Sequence, residues 1–366
     1  MQLRKLALTF HQVAGITVGF LLLVIGISGS GLAFWQEIDY AITPEYQRVS
    51  SSSAISLDRV LAQAAKAHDS KEPLLGILVF KGNVHTPIYM TPQKQYRQVF
   101  VEPRSYQVVG SRIFQESLVG WLHTLHTQLF AGDFGFNAVG VIGLLLVVMS
   151  LTGLVLWPGW NAPSAGFSLR WQSPLPILSY DLHKVTGLFV FIFLLVQGLT
   201  GAALVFNQPF KKAAFWLSGI SEPAPVVSRV VPGRQPLALD ALMATANHVV
   251  SGVHLHGVIV SPMPEGAVQI FYEAEGAAGL HVEVSLDRYS GKVLRVEDAR
   301  KPASGVALVL AWLEPLHFGT FGGSATQALY LVLGLAPGGL FLTGFYLWFN
   351  KLKKKLARQT APQASS

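Results

Sequence analysis

Four stretches of the chain are apolar almost throughout for about 20 residues or more, the length a helix needs to cross a bilayer. They run from Leu8 to Trp35, Ala138 to Trp157, Val185 to Phe206 and Ala328 to Phe349. Trp35, Trp157 and Trp348 stand at their ends, where amphipathic rings favour the headgroup zone. The two long segments between them have another pattern. Each opens with helical spacing, Leu57-Asp-Arg-Val-Leu61 or Leu239-Asp-Ala-Leu242. Each then alternates apolar and polar positions over Gln98–Val109 or His281–Val296, with a turn near Tyr106 or Tyr289. The predicted fold class is membrane α-helical, with four transmembrane helices and two α+β domains in the long loops.

This pattern divides the chain into a first transmembrane helix (1–36), a loop domain ending in a histidine-bearing pre-helix segment (37–131), a second helix (132–158) and a short loop (159–183). The same order follows again: a third helix (184–206), a second loop domain with its pre-helix segment (207–323), a fourth helix (324–350) and a basic tail (351–366). The motifs repeat with it. His11-Gln-Val-Ala-Gly15 recurs as His183-Lys-Val-Thr-Gly187, and Gly26-Ile-Ser-Gly29 as Gly198-Leu-Thr-Gly201. Trp121-Leu-His-Thr-Leu-His126 recurs as Trp312-Leu-Glu-Pro-Leu-His317, and Leu151-Thr-Gly153 as Leu342-Thr-Gly344. The expected unit is helix, α+β domain, helix, present twice as parallel repeats about an axis along the membrane normal.

Composition supports a membrane protein: 51% of the 366 residues are hydrophobic and 13% charged, against about a quarter charged in soluble domains. The net charge of +7 does not point to nucleic acid, because its densest run, Lys351 to Arg358, directly follows a span. With Arg4, Lys5, Arg170 and Lys184 on the same side, positive residues place both termini and the short loop in the cytoplasm and the long loops outside. The first span also resembles a signal peptide, but its pattern recurs inside the chain, so it is expected to be retained.

With no cysteine, iron–sulfur clusters, thiolate zinc sites, disulfides and covalent c-type haem are excluded. Four histidines survive the duplication as two pairs, His11 with His183 and His126 with His317. Imidazoles on facing helices suit the axial positions of haem iron, and Gly15 and Gly187, one turn beyond their histidines, leave room for a flat macrocycle. A single His-x-x-x-Gly reads as readily as close helix packing; two matched pairs favour haem. His123 could compete with His126, but its repeat counterpart is Glu314, which suggests an auxiliary role. His254 and His256 share a strand face and are candidates for a metal or ligand contact, though solvent exposure is the commoner state of such residues. His68, His85, His248 and His281 are expected at the surface.

These residues resemble the PepSY-associated transmembrane family, which includes inner-membrane ferric-siderophore reductases of Gram-negative bacteria. The resemblance is carried by His11-x3-Gly15, Leu125-His126, His183-x3-Gly187, Leu316-His317-Phe-Gly319 with Gly322-Gly323, and the PepSY-like strand-turn-strand Asp287-Arg-Tyr-Ser-Gly-Lys-Val293. The first loop departs from it, since Pro103-Arg-Ser-Tyr-Gln-Val lacks the Asp and Gly of the second. The resemblance implies haem b, two per chain, with His11, His183, His126 and His317 as ligands, and reduction of a ferric siderophore in the periplasm, releasing Fe(II). Because the cytoplasmic segments are too short for a flavin or nicotinamide domain, a separate donor is expected, either a quinol or a soluble reductase. Two alternatives remain: a haem subunit passing electrons to a partner enzyme, and a non-catalytic PepSY module that binds or inhibits a periplasmic partner.

Overall fold

The structure is a computed structural model that describes residues 2–43, 55–68, 71–79, 85–274 and 279–360. The first half of the chain forms α1 (Gln2–Thr17), α2 (Gly19–Leu32), α3 (Trp35–Ile42), α4 (Leu57–Ala64), strands β1 (Leu74–Val79), β2 (His85–Met90), β3 (Tyr96–Val101) and β4 (Val108–Ile113), α5 (Leu118–Gln128) and α6 (Gly132–Leu156). After the short α7 (Pro163–Phe167), the second half forms α8 (Leu175–Val205), α9 (Asn207–Ser218) and α10 (Leu239–Val249). It continues with strands β5 (Val253–Val260), β6 (Val268–Ala274), β7 (His281–Leu286) and β8 (Val293–Asp298), then α11 (Gly305–Phe318), α12 (Gly323–Leu333) and α13 (Ala336–Thr360).

Three helical stretches are long and apolar enough to cross a membrane: Gly132–Trp160, Leu175–Val205 and Thr320–Gln359. A fourth exists when α1 and α2 are counted as one span, although they meet at 61°. The straight helix expected over Leu8–Trp35 is therefore broken. Thr17, the last residue of α1, turns its hydroxyl back onto the carbonyls of Val13 and Ala14 (3.0 and 3.3 Å). At Gly19, a Cβ would stand 2.5 Å from the Phe341 ring. The last span is also interrupted, between α12 and α13, where Pro337 sits in the first turn of α13 and its missing N–H leaves no gap. That helix runs on through Lys351, so the basic tail is helical as far as Thr360; Lys, Leu, Ala and Arg are strong helix formers, and cations favour a helix C-terminus. Residues 361–366 lie outside the described ones.

Small residues set the helix spacing. Where α6 and α8 cross, a Cβ on Gly143 would lie 3.0 Å from the Gly198 carbonyl oxygen, and one on Gly198 would lie 2.7 Å from that of Gly143. Without a hydrophobic drive between helices in lipid, such close backbone approach is what holds spans together.

The two loops, expected as two domains, share one antiparallel sheet in the order β4-β3-β2-β1-β5-β6-β7-β8. Its centre is the β1–β5 pair, with Ile77 opposite Val258. Gly257 permits the seam, since a Cβ there would stand 2.9 Å from the Ile77 carbonyl oxygen. Alternation puts Ile77, Val258, Ile270, Val282, Val284 and Leu286 in one buried layer with Leu57 of α4 and Leu242 of α10; each fully buried apolar side chain stabilises by about 1.5–3 kcal/mol.

The same Leu-Asp pair that opens α4 and α10 joins the halves. Asp58 accepts the N–H groups of Leu239 and Asp240 (2.9 and 3.0 Å), and Asp240 accepts the Leu57 N–H (2.6 Å) and the Ser56 hydroxyl (2.5 Å). Each helix start is thus capped by a carboxylate from the other half.

The turn that departs from the family pattern has the same geometry in both halves. Asp287 accepts the N–H groups of Tyr289 and Ser290 (2.9 and 2.8 Å), and Glu102 accepts those of Arg104 and Ser105 (3.1 and 2.6 Å). Gly291 has φ +72°, and Tyr106 takes the same left-handed conformation at φ +56°. Tyr106 compensates the strain through its hydroxyl, which accepts the Ser56 N–H at 3.2 Å. Toward the membrane helices, the sheet is tied by Arg112, which donates to both carboxylate oxygens of Asp39 on α3 (2.8 and 2.7 Å).

Candidate functional site

The four histidines that repeat along the chain meet in the bundle as two facing pairs. The ring centroids of His11 on α1 and His183 on α8 are 6.1 Å apart, with planes at 88°. Those of His126 on α5 and His317 on α11 are 6.2 Å apart, with planes at 50°. His123 is not part of either pair; its ring packs edge-on against Phe114, 5.8 Å between centroids.

Each imidazole is held by a hydroxyl residue and the glycine that follows it. Thr152 and Gly153 hold His11: Nδ1 lies 3.1 Å from Thr152 Oγ1, and a Cβ on Gly153 would stand 3.3 Å from the ring. Thr343 and Gly344 hold His183 at 3.0 and 3.2 Å. Thr200 and Gly201 hold His317 at 2.9 and 3.0 Å. Ser28 and Gly29 hold His126 at 3.5 and 2.7 Å, and there the Ile25 carbonyl oxygen lies closer to Nδ1, at 2.9 Å.

These contacts favour one tautomer of each ring. The Thr152 hydroxyl spends its one hydrogen on the Val148 and Met149 carbonyls (2.9 and 3.0 Å), so toward His11 it accepts. Thr343 does the same with Gly339 and Leu340 (2.8 and 3.1 Å), and Thr200 with Val196 (2.7 Å). For His126 the acceptor is a carbonyl, which can only accept. This pattern favours donation from Nδ1 at all four histidines, which would leave Nε2 unprotonated, the arrangement that prepares an imidazole to bind a metal. Burial pushes His126 and His317 below the ordinary imidazole value, and for His317 the neighbouring His126 adds to the effect. Neutral rings are what ligation requires.

His11 and His183 line a cavity of about 750 Å³, within the range of roughly 300–1,000 Å³ typical of cofactor sites. Gly15 and Gly187 line it too, and a Cβ on either would meet only Met149 Cε or Leu340 Cδ2, each at 3.7 Å. The buried Trp157 indole N–H, on the same wall, has no acceptor among the described residues. Among those residues no group of three or more His, Asp or Glu side chains could hold a bare metal ion. The imidazoles come instead in facing twos, the number of axial positions that a porphyrin leaves on its iron. The donor set, the tautomers and the cavity all fit haem.

The remaining histidines correct the surface assignment. His85 is 4% exposed. His68 stacks on Tyr89 at 3.6 Å and lies 3.9 Å from Glu72. His281 is half-buried, its ring 5.1 Å from that of His256, while His254 stands in register with Glu273. His248 is exposed as expected. The residues missed from the sequence are Thr152, Thr343, Thr200 and Ser28 with their glycines. Their signal was visible, since each hydroxyl-glycine pair recurs with its histidine, but only the packing shows which ring each one serves.

No curated protein matches the chain. The family described as the PepSY-associated TM region matches residues 8–351, nearly the whole length, and this membrane protein belongs to that family.

Proposed function

We propose that the protein is a haem b reductase that moves electrons across the bacterial inner membrane to a ferric siderophore in the periplasm. The observation that carries the reading is the set of four imidazoles, paired at 6.1 and 6.2 Å, each with Nδ1 against a hydroxyl or carbonyl oxygen. His11 with His183 and His126 with His317 would each hold one haem, and the bound group would supply one-electron redox chemistry. The chain's own part is to orient the ligands, exclude water from the cavity and set the distance between the pairs. In this reading the two halves are parallel repeats about the membrane normal. The basic ends of α1 and α13 face the cytoplasm and the sheet faces the periplasm.

The donor is a quinol or a soluble reductase on the cytoplasmic side. At the other end, Fe(III) in a chelate of hard oxygen donors takes up one electron and becomes Fe(II), which those donors hold less tightly. In right-side-out vesicles with an internal reductant, an external ferric hydroxamate should yield Fe(II), trapped by an impermeant ferrous chelator. Phe variants of His11 and of His317 should each abolish it. Haem that is reduced but reoxidised by no ferric chelate would favour service to a partner enzyme instead.

A further inference from the structure

The cavity beside His11 and His183 has charge of one sign. Arg4, Lys5, Lys184 and Lys351 line it, and no acidic side chain does. Two of the four are committed elsewhere. Lys184 Nζ lies 2.8 Å from Asp181 and donates to the Ala165 carbonyl and the Ser168 hydroxyl (2.6 and 2.8 Å). Arg4 donates to the Leu156 carbonyl at 3.3 Å, which brings the start of α1 beside Trp157. Among the described residues, Lys5 and Lys351 have no ion-pair partner, and both are exposed at the bundle's end.

Their positions along the helices matter as much as their charge. Lys5 precedes His11 by six residues, and Lys351 follows Gly344, the glycine against His183, by seven. At 1.5 Å per residue Lys5 lies about 9 Å along its helix from His11 and Lys351 about 10.5 Å along its own from Gly344, toward the same end. An apolar slot with two facing imidazoles inside and two cations at its edge is suited to a flat apolar body with two anionic substituents.

We propose that Lys5 and Lys351 bind the two carboxylates of the macrocycle held by His11 and His183. This rests on the haem reading above and adds what fixes the group's rotation in the slot. The lysines are solvent-facing, so each contact is worth about threefold in affinity, or about tenfold for the two.

The test compares haem with its dimethyl ester, which has the same iron and ring but no negative charge. The full-length protein, prepared free of haem, is titrated with each and followed by absorbance. The His126–His317 site is common to wild type and variant, so a difference between them reports the other site. Wild type should bind haem about tenfold more tightly than the diester at that site. Lys5→Gln/Lys351→Gln should bring the two to parity by weakening haem and leaving the diester unchanged. An unchanged haem-to-diester ratio in the double variant overturns the proposal and leaves the lysines as anchors to lipid phosphate. A wild-type protein that takes up neither porphyrin overturns the haem reading itself.

Discussion

His11 and His183 stand 6.1 Å apart on the wall of a cavity of about 750 Å³, whereas His126 and His317, 6.2 Å apart, are wedged against α2 and α8 with less clearance. A methyl group at Gly29 would come within 2.7 Å of His126, and one at Gly201 within 3.0 Å of His317. At the other pair the corresponding distances are 3.3 and 3.2 Å. Two different surroundings give nearly one spacing. What the two pairs share is a hydroxyl-glycine pair against each ring.

Removing a ligand tests the pairing most severely. His183→Ala or His11→Ala should lower haem from about two per chain to about one, and His317→Ala or His126→Ala should remove the other, as read by haem content and paramagnetic resonance of the oxidised protein. If His123→Ala lost haem while His126→Ala did not, the ligand on α5 would be misassigned.

The next effect should separate the hydroxyls. Thr343→Val or Thr152→Val removes the acceptor of an Nδ1–H, and loss of such a partner lowers metal affinity by about 10–100-fold. Serine at these positions should restore most of it. Ser28→Ala should be much milder, because the Ile25 carbonyl still accepts from His126 at 2.9 Å. Equal losses at Ser28 and Thr343 would show that the hydroxyls do not select the tautomer.

Alanine at the glycines sharpens the contrast in clearance. Gly29→Ala forces the His126 ring or its helix to move, at about 1–3 kcal/mol for overpacking. Gly344→Ala needs only a few tenths of an ångström from His183. Thermal unfolding in detergent should rank Gly29 above Gly201, and both above Gly344 and Gly153.

Much of this was legible in the sequence. The four histidines, their pairing and the strand pairs β3–β4 and β7–β8 with their turns follow from periodicity and repetition. The bend at Thr17 and Gly19 was not, because a continuous apolar run cannot reveal that a Phe341 ring fills the space beside Gly19. The single sheet was hidden too, since alternation predicts strands but not that the β1 edge pairs with β5. The departing turn misled for a third reason: Glu102 and a left-handed Tyr106 reproduce with other residues what Asp287 and Gly291 do.

The smallest effects belong to the sheet. Asp58→Ala and Asp240→Ala should each cost about 0.5–2 kcal/mol, the range for a lost helix cap. Chemical denaturation of the detergent-solubilised chain would check it. Burial pushes the Asp287 carboxyl up, but bonds from Arg229, Ser290 and Tyr289 outweigh it and hold it below its ordinary value. A carboxylate lowered in this way stabilises the fold above about pH 4. That contribution fades as pH falls through the folded-state value. Asp287→Asn should flatten the acid limb of a stability profile without changing the haem spectrum, whereas His variants should do the reverse.

The most direct test of the central claim is the absorption spectrum of the purified, full-length protein, with haem quantified after extraction. The account predicts a b-type spectrum, about two haems per chain, and complete extraction by acid acetone, because no cysteine is present to anchor the group. A folded protein that remains colourless when haem is supplied during expression would contradict it.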